Sequence, residues 1–375
     1  MIYLDSAATS LLKPPEVGRA VLRAIGECAS PGRGIHAPAM RAAEIVYSCR
    51  EEAAALFGVP KPENVIFTMN ATHGLNIAVR TVVKPGMRVM TSGYEHNAVT
   101  RPLHDIGAVI DAAEAPAFDT EALLESFRKK LPAADAVVCT HVSNVFGYIL
   151  PICEIAAMCR QRGIPLIVDA SQSAGALDVD LSALGAEFCA MPGHKGLMGP
   201  QGTGLLLCRD SAQPLLFGGT GSLSGSYEMP EDLPDRLEAG THNVCGIAGL
   251  REGLRFIRRI GTARIRRKED ALTDMLAWGL AEMDGLSVLL PPKGNRAGIV
   301  SVIPNSISCE ELSARLGRYG VAVRAGLHCA PQAHRTAGTD GTGTVRFSVS
   351  WFNSPREIEK ALALVKKSLQ KGYRM

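Results

Sequence analysis

Apolar and polar positions along this chain fall into blocks whose period switches between the helical and the extended repeat. A helical pattern opens at Pro14-Pro15-Glu16 and runs to about residue 28, and a second covers 38–57. Short apolar runs then predict strands at 64–69, 88–91, 108–115, 136–142, 165–168, 186–190 and 204–208. Helical patterns at 72–83, 120–131 and 152–162 separate several of them, and long helices occupy about 246–283. Past Pro291-Pro292 the pattern restarts as strand 298–303, helix 309–319, strand 321–324, strand 344–349 and a last helix at 355–371. Such alternation predicts an α/β fold, a mainly parallel sheet flanked by helices on both faces, followed by a smaller α+β unit. Ligands of such sheets collect at the carboxyl ends of the strands.

Composition changes this picture little. A chain of 375 residues is longer than one core comfortably fills, which agrees with one large and one smaller domain. With 46% hydrophobic and 21% charged residues it reads as an ordinary globular protein. The net charge is +3, and the one basic run, 264–268, reads as a solvated helix face, so nucleic acid is not expected as a partner. Neither a leader pattern at Met1-Ile2-Tyr3-Leu4-Asp5 nor a membrane-length apolar stretch is visible, so a cytoplasmic protein without a membrane partner is expected. Ten cysteines are scattered without a CxxC pair, and Cys139, Cys189 and Cys208 sit inside apolar runs as small core residues do. Reduced thiols and no metal site are expected. Residues 218–226, rich in Gly and Ser, read either as a flexible surface loop or as a mobile loop near a site mouth.

The chemistry begins at two strand ends. The run 165–168 delivers Asp169, and the run 186–190 leads into Met191-Pro192-Gly193-His194-Lys195-Gly196. A lysine and a carboxylate so placed suit pyridoxal 5'-phosphate. The lysine would hold the cofactor as a Schiff base, and the carboxylate would keep the pyridine nitrogen protonated. Taken singly, each is also compatible with a surface lysine and a strand-end aspartate. Other strand ends add to the set. The turn Asn70-Ala71-Thr72 opens a helix whose free N–H groups suit a phosphate, or serves as an ordinary helix cap. His96 suits a ring contact or a proton transfer, and Asn144 and Gln172 carry amides able to orient a ring hydroxyl.

Several segments recur in order: Tyr3-Leu4-Asp5-Ser6-Ala7-Ala8-Thr9, Arg33-Gly34-Ile35-His36, the Asp169 and His194-Lys195 segments, Glu238-Ala239-Gly240-Thr241, Arg324-Ala325-Gly326-Leu327-His328-Cys329 and Arg346-Phe347-Ser348. Together the chain resembles the class V aminotransferase family, and within it the cysteine desulfurases grouped with selenocysteine lyases. The resemblance covers nearly the whole chain. It implies a fold-type-I homodimer, Lys195 as the cofactor lysine, His96 stacked on the ring, and His194 among the cofactor contacts. Thr241 would reach the phosphate of the neighbouring subunit's cofactor. Arg346, with Asn144, His36 and Ala7, would bind the substrate, the guanidinium gripping its carboxylate through two parallel hydrogen bonds.

Cys329 would then take sulfur from L-cysteine as a persulfide and leave alanine, for possible delivery to a sulfur-acceptor protein. His328 and Arg324 stand where they would lower its pKa. Pro192 departs from the family pattern: a hydroxyl residue commonly occupies that position and helps hold the phosphate. The expectation is that Ala71-Thr72 and Thr241 carry more of the phosphate binding instead. Rival readings are a selenocysteine lyase or other C–S or C–Se lyase, a true aminotransferase or epimerase that needs no Cys329, and a non-catalytic scaffold. The expected division is a cofactor-binding domain at 15–255 and a small domain made of 1–14 with 256–375.

Overall fold

The structure is a computed structural model that describes residues 1–32, 34–210 and 212–370. Arg33 of the second motif and Lys371, the predicted end of the last helix, lie outside the described residues. In chain order the elements are β1 (Ile2–Tyr3), α1 (Pro15–Glu27), α2 (Ala37–Leu56), β2 (Val65–Thr68), α3 (Ala71–Val82), β3 (Arg88–Thr91), α4 (Asn97–Ile106) and β4 (Val109–Ala112). Then come α5 (Thr120–Lys130), β5 (Ala136–Thr140), α6 (Ile152–Arg162), β6 (Leu166–Asp169), α7 (Leu181–Leu184), β7 (Phe188–Pro192), β8 (Gly204–Cys208), α8 (Val244–Ile260) and α9 (Thr262–Ala281). The remainder is β9 (Leu286–Leu289), β10 (Ile299–Pro304), α10 (Cys309–Arg318), β11 (Val321–Ala322), β12 (Arg324–Gly326), α11 (Pro331–Thr336), β13 (Thr344–Ser348) and α12 (Pro355–Leu369).

Seven strands form the main sheet in the order β2-β8-β7-β6-β5-β3-β4. Only β8 runs against its neighbours, so the sheet is mostly parallel, as the alternating pattern predicts. Its strands read as continuous apolar runs because both faces are covered. Along β5, Val137 and Cys139 pack into the core on one face, and Ala136 and Val138 into the core on the other. A four-stranded antiparallel sheet, β12-β13-β10-β9, backs a third core that also takes Leu272 and Leu276 of α9 and Ile358 and Val365 of α12.

Four departures from the sequence pattern have local causes. The predicted strand 321–324 is two strands: Val321 pairs with Ile2 of β1, while Arg324 pairs with Arg346 of β13 in another sheet. Helix α4 carries Pro102 in its interior, which masks it as a turn signal. The long helical stretch breaks at Gly261, whose φ of +87° suits glycine alone. Strand β9 is partly exposed along its length and shows no clean apolar run.

The N-terminal segment is laid beside β13. Ser348 N donates to Leu4 O at 2.7 Å, Asp5 bridges Ser348, and the Ala7 N–H bonds the Ser348 hydroxyl at 2.8 Å. Further on, Ser10 N donates to His194 O at 2.9 Å. The first ten residues therefore tie the small sheet to the turn that carries Lys195.

Candidate active site

Strand ends of the main sheet converge on a cavity of about 100 Å³, lined among others by Thr72, His96, Asn144, Asp169, Gln172 and Lys195. Lys195 also borders a second, smaller chamber of about 50 Å³ with Ala7, Gln172 and Ser348. Two larger recesses, of about 470 and 840 Å³, lie elsewhere and bring together mixed surface charges, such as Arg23 with Glu27 and Arg209 with Asp210. The strand-end cavity combines a lysine, the buried carboxylate of Asp169 and the start of α3.

The turn carrying Lys195 is shaped by its glycines. A Cβ on Gly193 would lie 2.1 Å from Thr203 Oγ1, and one on Gly196 would lie 2.2 Å from Ala174 O. Only glycine permits these approaches, which press Lys195 into the wall of the cavity. Burial pushes its amine down to about 8, against the attraction of Asp169 and helped by the repulsion of Arg346 and Arg324. About a tenth of the side chains are then neutral at pH 7, far more than for an ordinary lysine.

Asp169, 3% exposed, accepts the Ser171 N–H on Oδ1 at 2.9 Å, which leaves Oδ2 without a protein donor among the described residues. His96 caps α4. Its Nδ1 accepts the Ala98 N–H at 3.0 Å, so the proton of the neutral ring sits on Nε2. Burial lowers its pKa, opposed by Asp169 and reinforced by Lys195, so the ring is neutral at neutral pH. Gln172 Nε2 donates to Ala7 O at 3.0 Å, and Asn144 Nδ2 donates to His328 O at 2.8 Å. Each amide uses one N–H in this way and keeps its oxygen available as an acceptor.

At the start of α3 the Asn70 side chain takes the His73 N–H at 3.0 Å, and the N–H groups of Ala71 and Thr72 have no intrahelical acceptor. His194 also lines the cavity; its Nδ1 lies 3.0 Å from Thr9 Oγ1 and burial lowers its pKa to about 4. Pro192 ends β7 on the cavity wall and contributes no hydroxyl there. These groups fit pyridoxal phosphate. Ala71 and Thr72 would hold its phosphate, Asp169 Oδ2 its pyridine nitrogen, and Lys195 its aldehyde carbon.

Cys329 is exposed and stands on a tight turn, with Ala330 N donating to Leu327 O at 2.9 Å. Both central residues, His328 and Cys329, have positive φ, at 49° and 56°. For residues other than glycine this costs roughly 1–2 kcal/mol each. Bonds from outside hold the turn: Asn97 N donates to Cys329 O at 2.7 Å and Asn144 to His328 O. The backbone of the turn is thereby tied to Asn97, the residue after His96. The expectation that His328 assists as a cation is corrected. Its ring turns inward to Thr344, and burial, with Arg346 and His334 nearby, drives its pKa far down, so it carries no charge to lend.

Arg346, 2% exposed, donates from Nη1 to Asn144 O at 2.8 Å and from Nη2 to Asp5 Oδ1 at 2.9 Å. Nothing in the sequence marked Asp5 beyond its place in a motif. Five predicted site residues do not line the cavity of about 100 Å³: Ala7 lines the adjoining chamber, Arg346 is tied to it through Asn144 O, Cys329 is tied to Asn97 next to His96, and His36 and Thr241 lie apart. His36 is exposed at the start of α2, and Thr241 lines a separate recess with Met69 and His73.

The Thr241 segment is nonetheless firmly anchored. Glu238 accepts the Phe67 N–H at 2.6 Å and the Arg50 guanidinium at 2.7 Å, and Arg50 also donates to Val65 O. This buried pair therefore occupies the outward-facing polar groups of the edge strand β2. Replacing Glu238 with Ala strands the Arg50 charge in a 4% exposed site. The expected loss is about 3–5 kcal/mol in a urea unfolding titration. A loss below about 1 kcal/mol would show that the pair is solvated.

The arrangement is that of a pyridoxal-phosphate enzyme of fold type I. Residues 2–361 match the class-V aminotransferase family, and the chain belongs to it. A probable cysteine desulfurase of Methanothermobacter thermautotrophicus is 32% identical over 96% of this chain and 92% of its own. One from Xylella fastidiosa is 33% identical over 98% and 90%. Among solved structures, the apo cysteine desulfurase of Thermococcus onnurineus superposes with a TM-score of 0.91 at 32% identity, covering 98% of this chain and 94% of that one. The cysteine desulfurase CsdA of Escherichia coli gives 0.87 at 25% identity, covering 98% and 94%.

Proposed function

We propose that this protein is a cysteine desulfurase that converts L-cysteine to L-alanine and takes the sulfur on Cys329. The observation that carries the reading is the 2.7 Å bond from Asn97 N to Cys329 O, which ties the turn bearing an exposed thiol to the residue that follows His96 of the Lys195 cavity. The similarity to cysteine desulfurases over the full chain supports it. Bound pyridoxal phosphate supplies a sink for the electrons left on the substrate carbon when its proton departs.

The protein's own groups do the rest. Arg346 holds the α-carboxylate, and neutral Lys195 Nζ takes the α-proton. Asp169 Oδ2 would hold the ring nitrogen of the cofactor in its protonated form, and the neutral His96 presents an Nε2–H able to give a proton. The Cys329 thiolate attacks the substrate sulfur. An S–S bond forms, the C–S pair stays with carbon, and a proton converts that carbon to the methyl of alanine. Cys329 is left as a persulfide for a sulfur-acceptor protein to collect.

A homodimer completes this reading. Thr241 and His36 lie outside their own cavity, and exposed Leu216, Phe217, Leu223 and Tyr227 lie in or beside the glycine-rich stretch, which is tied to the Thr241 segment by Gly240 N to Gly219 O. A second copy would cover them and bring Thr241 and His36 to the neighbouring cofactor. The proposed domains are 15–255 and 1–14 with 256–375, and the smaller chamber beside Lys195 takes residues from both spans. A cytoplasmic setting agrees with ten unpaired thiols, and among the described residues no helix is long and apolar enough to cross a membrane. The test is the product balance with L-cysteine: alanine and sulfide in equal amounts under a reductant support the reading. Pyruvate with sulfide would instead establish a β-eliminating lyase.

The lysine amine also predicts a pH profile. Capture of added pyridoxal phosphate by the apo-protein should rise about tenfold from pH 6 to 7 and level off above about 8, because only neutral Lys195 is nucleophilic. Asp169 raises the Lys195 pKa, so Asp169→Asn should move the inflection to lower pH while impairing turnover. An unmoved or higher inflection would mean that Asp169 does not act on the amine.

A further inference from the structure

We infer that Asp5 is a positioning residue for substrate recognition: it supplies a resident carboxylate that occupies Arg346 and competes with the carboxylate of the incoming amino acid. The inference rests on the proposed reading of Arg346 as the carboxylate clamp and deepens it. A guanidinium buried to 2% exposure needs a counter-charge in the absence of substrate, and the 2.9 Å bond to Asp5 Oδ1 supplies it. The location of Asp5 is set by backbone geometry. The N-terminal segment runs parallel to β13, Asp5 bridges Ser348, and Ser348 lies two residues from Arg346 on the same face. Tyr3 reinforces the segment, its hydroxyl bonding Asp5 O at 3.2 Å and Thr9 O at 2.8 Å.

The hydrogen bonds of Arg346 define how a substrate enters. Nη1 is committed to Asn144 O, and Nε is buried with no partner among the described residues. The edge left for a bidentate carboxylate is Nε with Nη2, and Nη2 is the atom that Asp5 holds. A substrate must therefore share or displace Asp5. Asp5 is 20% exposed at its side chain, so the displaced carboxylate has access to water. Charge balance agrees. Arg324 lies directly across the strand pair from Arg346, and Asp5 offsets one of these two positive charges. The remaining single positive charge matches one α-carboxylate and gives a dicarboxylate no second counter-charge.

The test uses the intact holoenzyme and compares Asp5→Asn with the unaltered protein. Asparagine keeps the oxygen that orients Arg346 and removes the competing charge. Binding of L-alanine, followed as a change in the cofactor absorption band, should tighten by about three- to tenfold, and KM for L-cysteine should fall by the same factor with kcat within about twofold. Binding of 2-aminoethanethiol, which is L-cysteine without its carboxylate, should not change. A general structural disturbance would move all three ligands together, and that outcome overturns the inference, as does unchanged or weaker L-alanine binding. Should Asp5→Asn not fold, Asp5→Ser carries the same expectation. The L-alanine titration involves no sulfur chemistry, so a protein that makes no alanine from L-cysteine would defeat the desulfurase reading and leave this test readable.

Discussion

Cys329→Ser is expected to bind pyridoxal phosphate and L-cysteine as the unaltered protein does and to lose alanine and sulfide formation by about a thousandfold or more, the scale on which removing a catalytic nucleophile registers. The binding half follows from geometry. Cys329 is not among the residues lining the cavity, and its carbonyl, which accepts the Asn97 N–H, ties its turn to the segment that carries His96. Serine has nearly the same size and is no worse at a φ of 56°, so the strained turn and its bonds to Asn97 and Asn144 should survive. The chemical half follows from the acceptor. A neutral hydroxyl is a poor nucleophile toward sulfur, whereas a thiolate forms an S–S bond readily. Mass spectrometry of the unaltered protein after one turnover without reductant should show a gain of one sulfur on the peptide containing Cys329. An unmodified peptide together with an active serine variant would overturn the desulfurase reading and favour elimination.

The parts of this site that the sequence reveals are those that depend on position along a strand. Asp169, Lys195 and Thr72 each follow an apolar run, and a parallel sheet carries such positions to one edge, so their convergence could be read without coordinates. The direction of a side chain could not. His328 adjoins Cys329 in the chain, yet its ring packs on Thr344, because a positive φ turns consecutive residues to different sides. Pairings across long sequence separations were equally hidden. Asp5 and Arg346 are 341 residues apart, and Glu238 and Arg50 are 188 apart, and no local periodicity links either pair. Thr241 shows a third limit. Its segment is recognisable as a motif, but within one chain it faces a recess of its own, and its proposed partner belongs to a second copy.

Lys195→Ala should have the largest effect of any single change, because the proposed mechanism gives one amine two tasks. The first is retention of the cofactor. With the covalent link gone, pyridoxal phosphate should be held only by Ala71, Thr72, Asp169 and their neighbours, and should be lost on dialysis. Reduction with borohydride should fix cofactor to the unaltered protein on the peptide containing Lys195 and to no peptide of the variant. The second task is proton abstraction. His96 also lines the cavity, but it is held by Ala98 N at Nδ1 and presents a proton, not a lone pair, on Nε2. Losing a positioned base usually costs about 10²–10⁴-fold, and here that loss adds to the loss of cofactor. Exogenous methylamine should restore part of the activity by entering the space the side chain leaves, with a pH dependence set by the added amine and no longer by an inflection near 8. Appearance of the reduced adduct on another lysine, such as Lys13, or turnover by the variant within tenfold of the unaltered protein, would remove Lys195 from the centre of the mechanism.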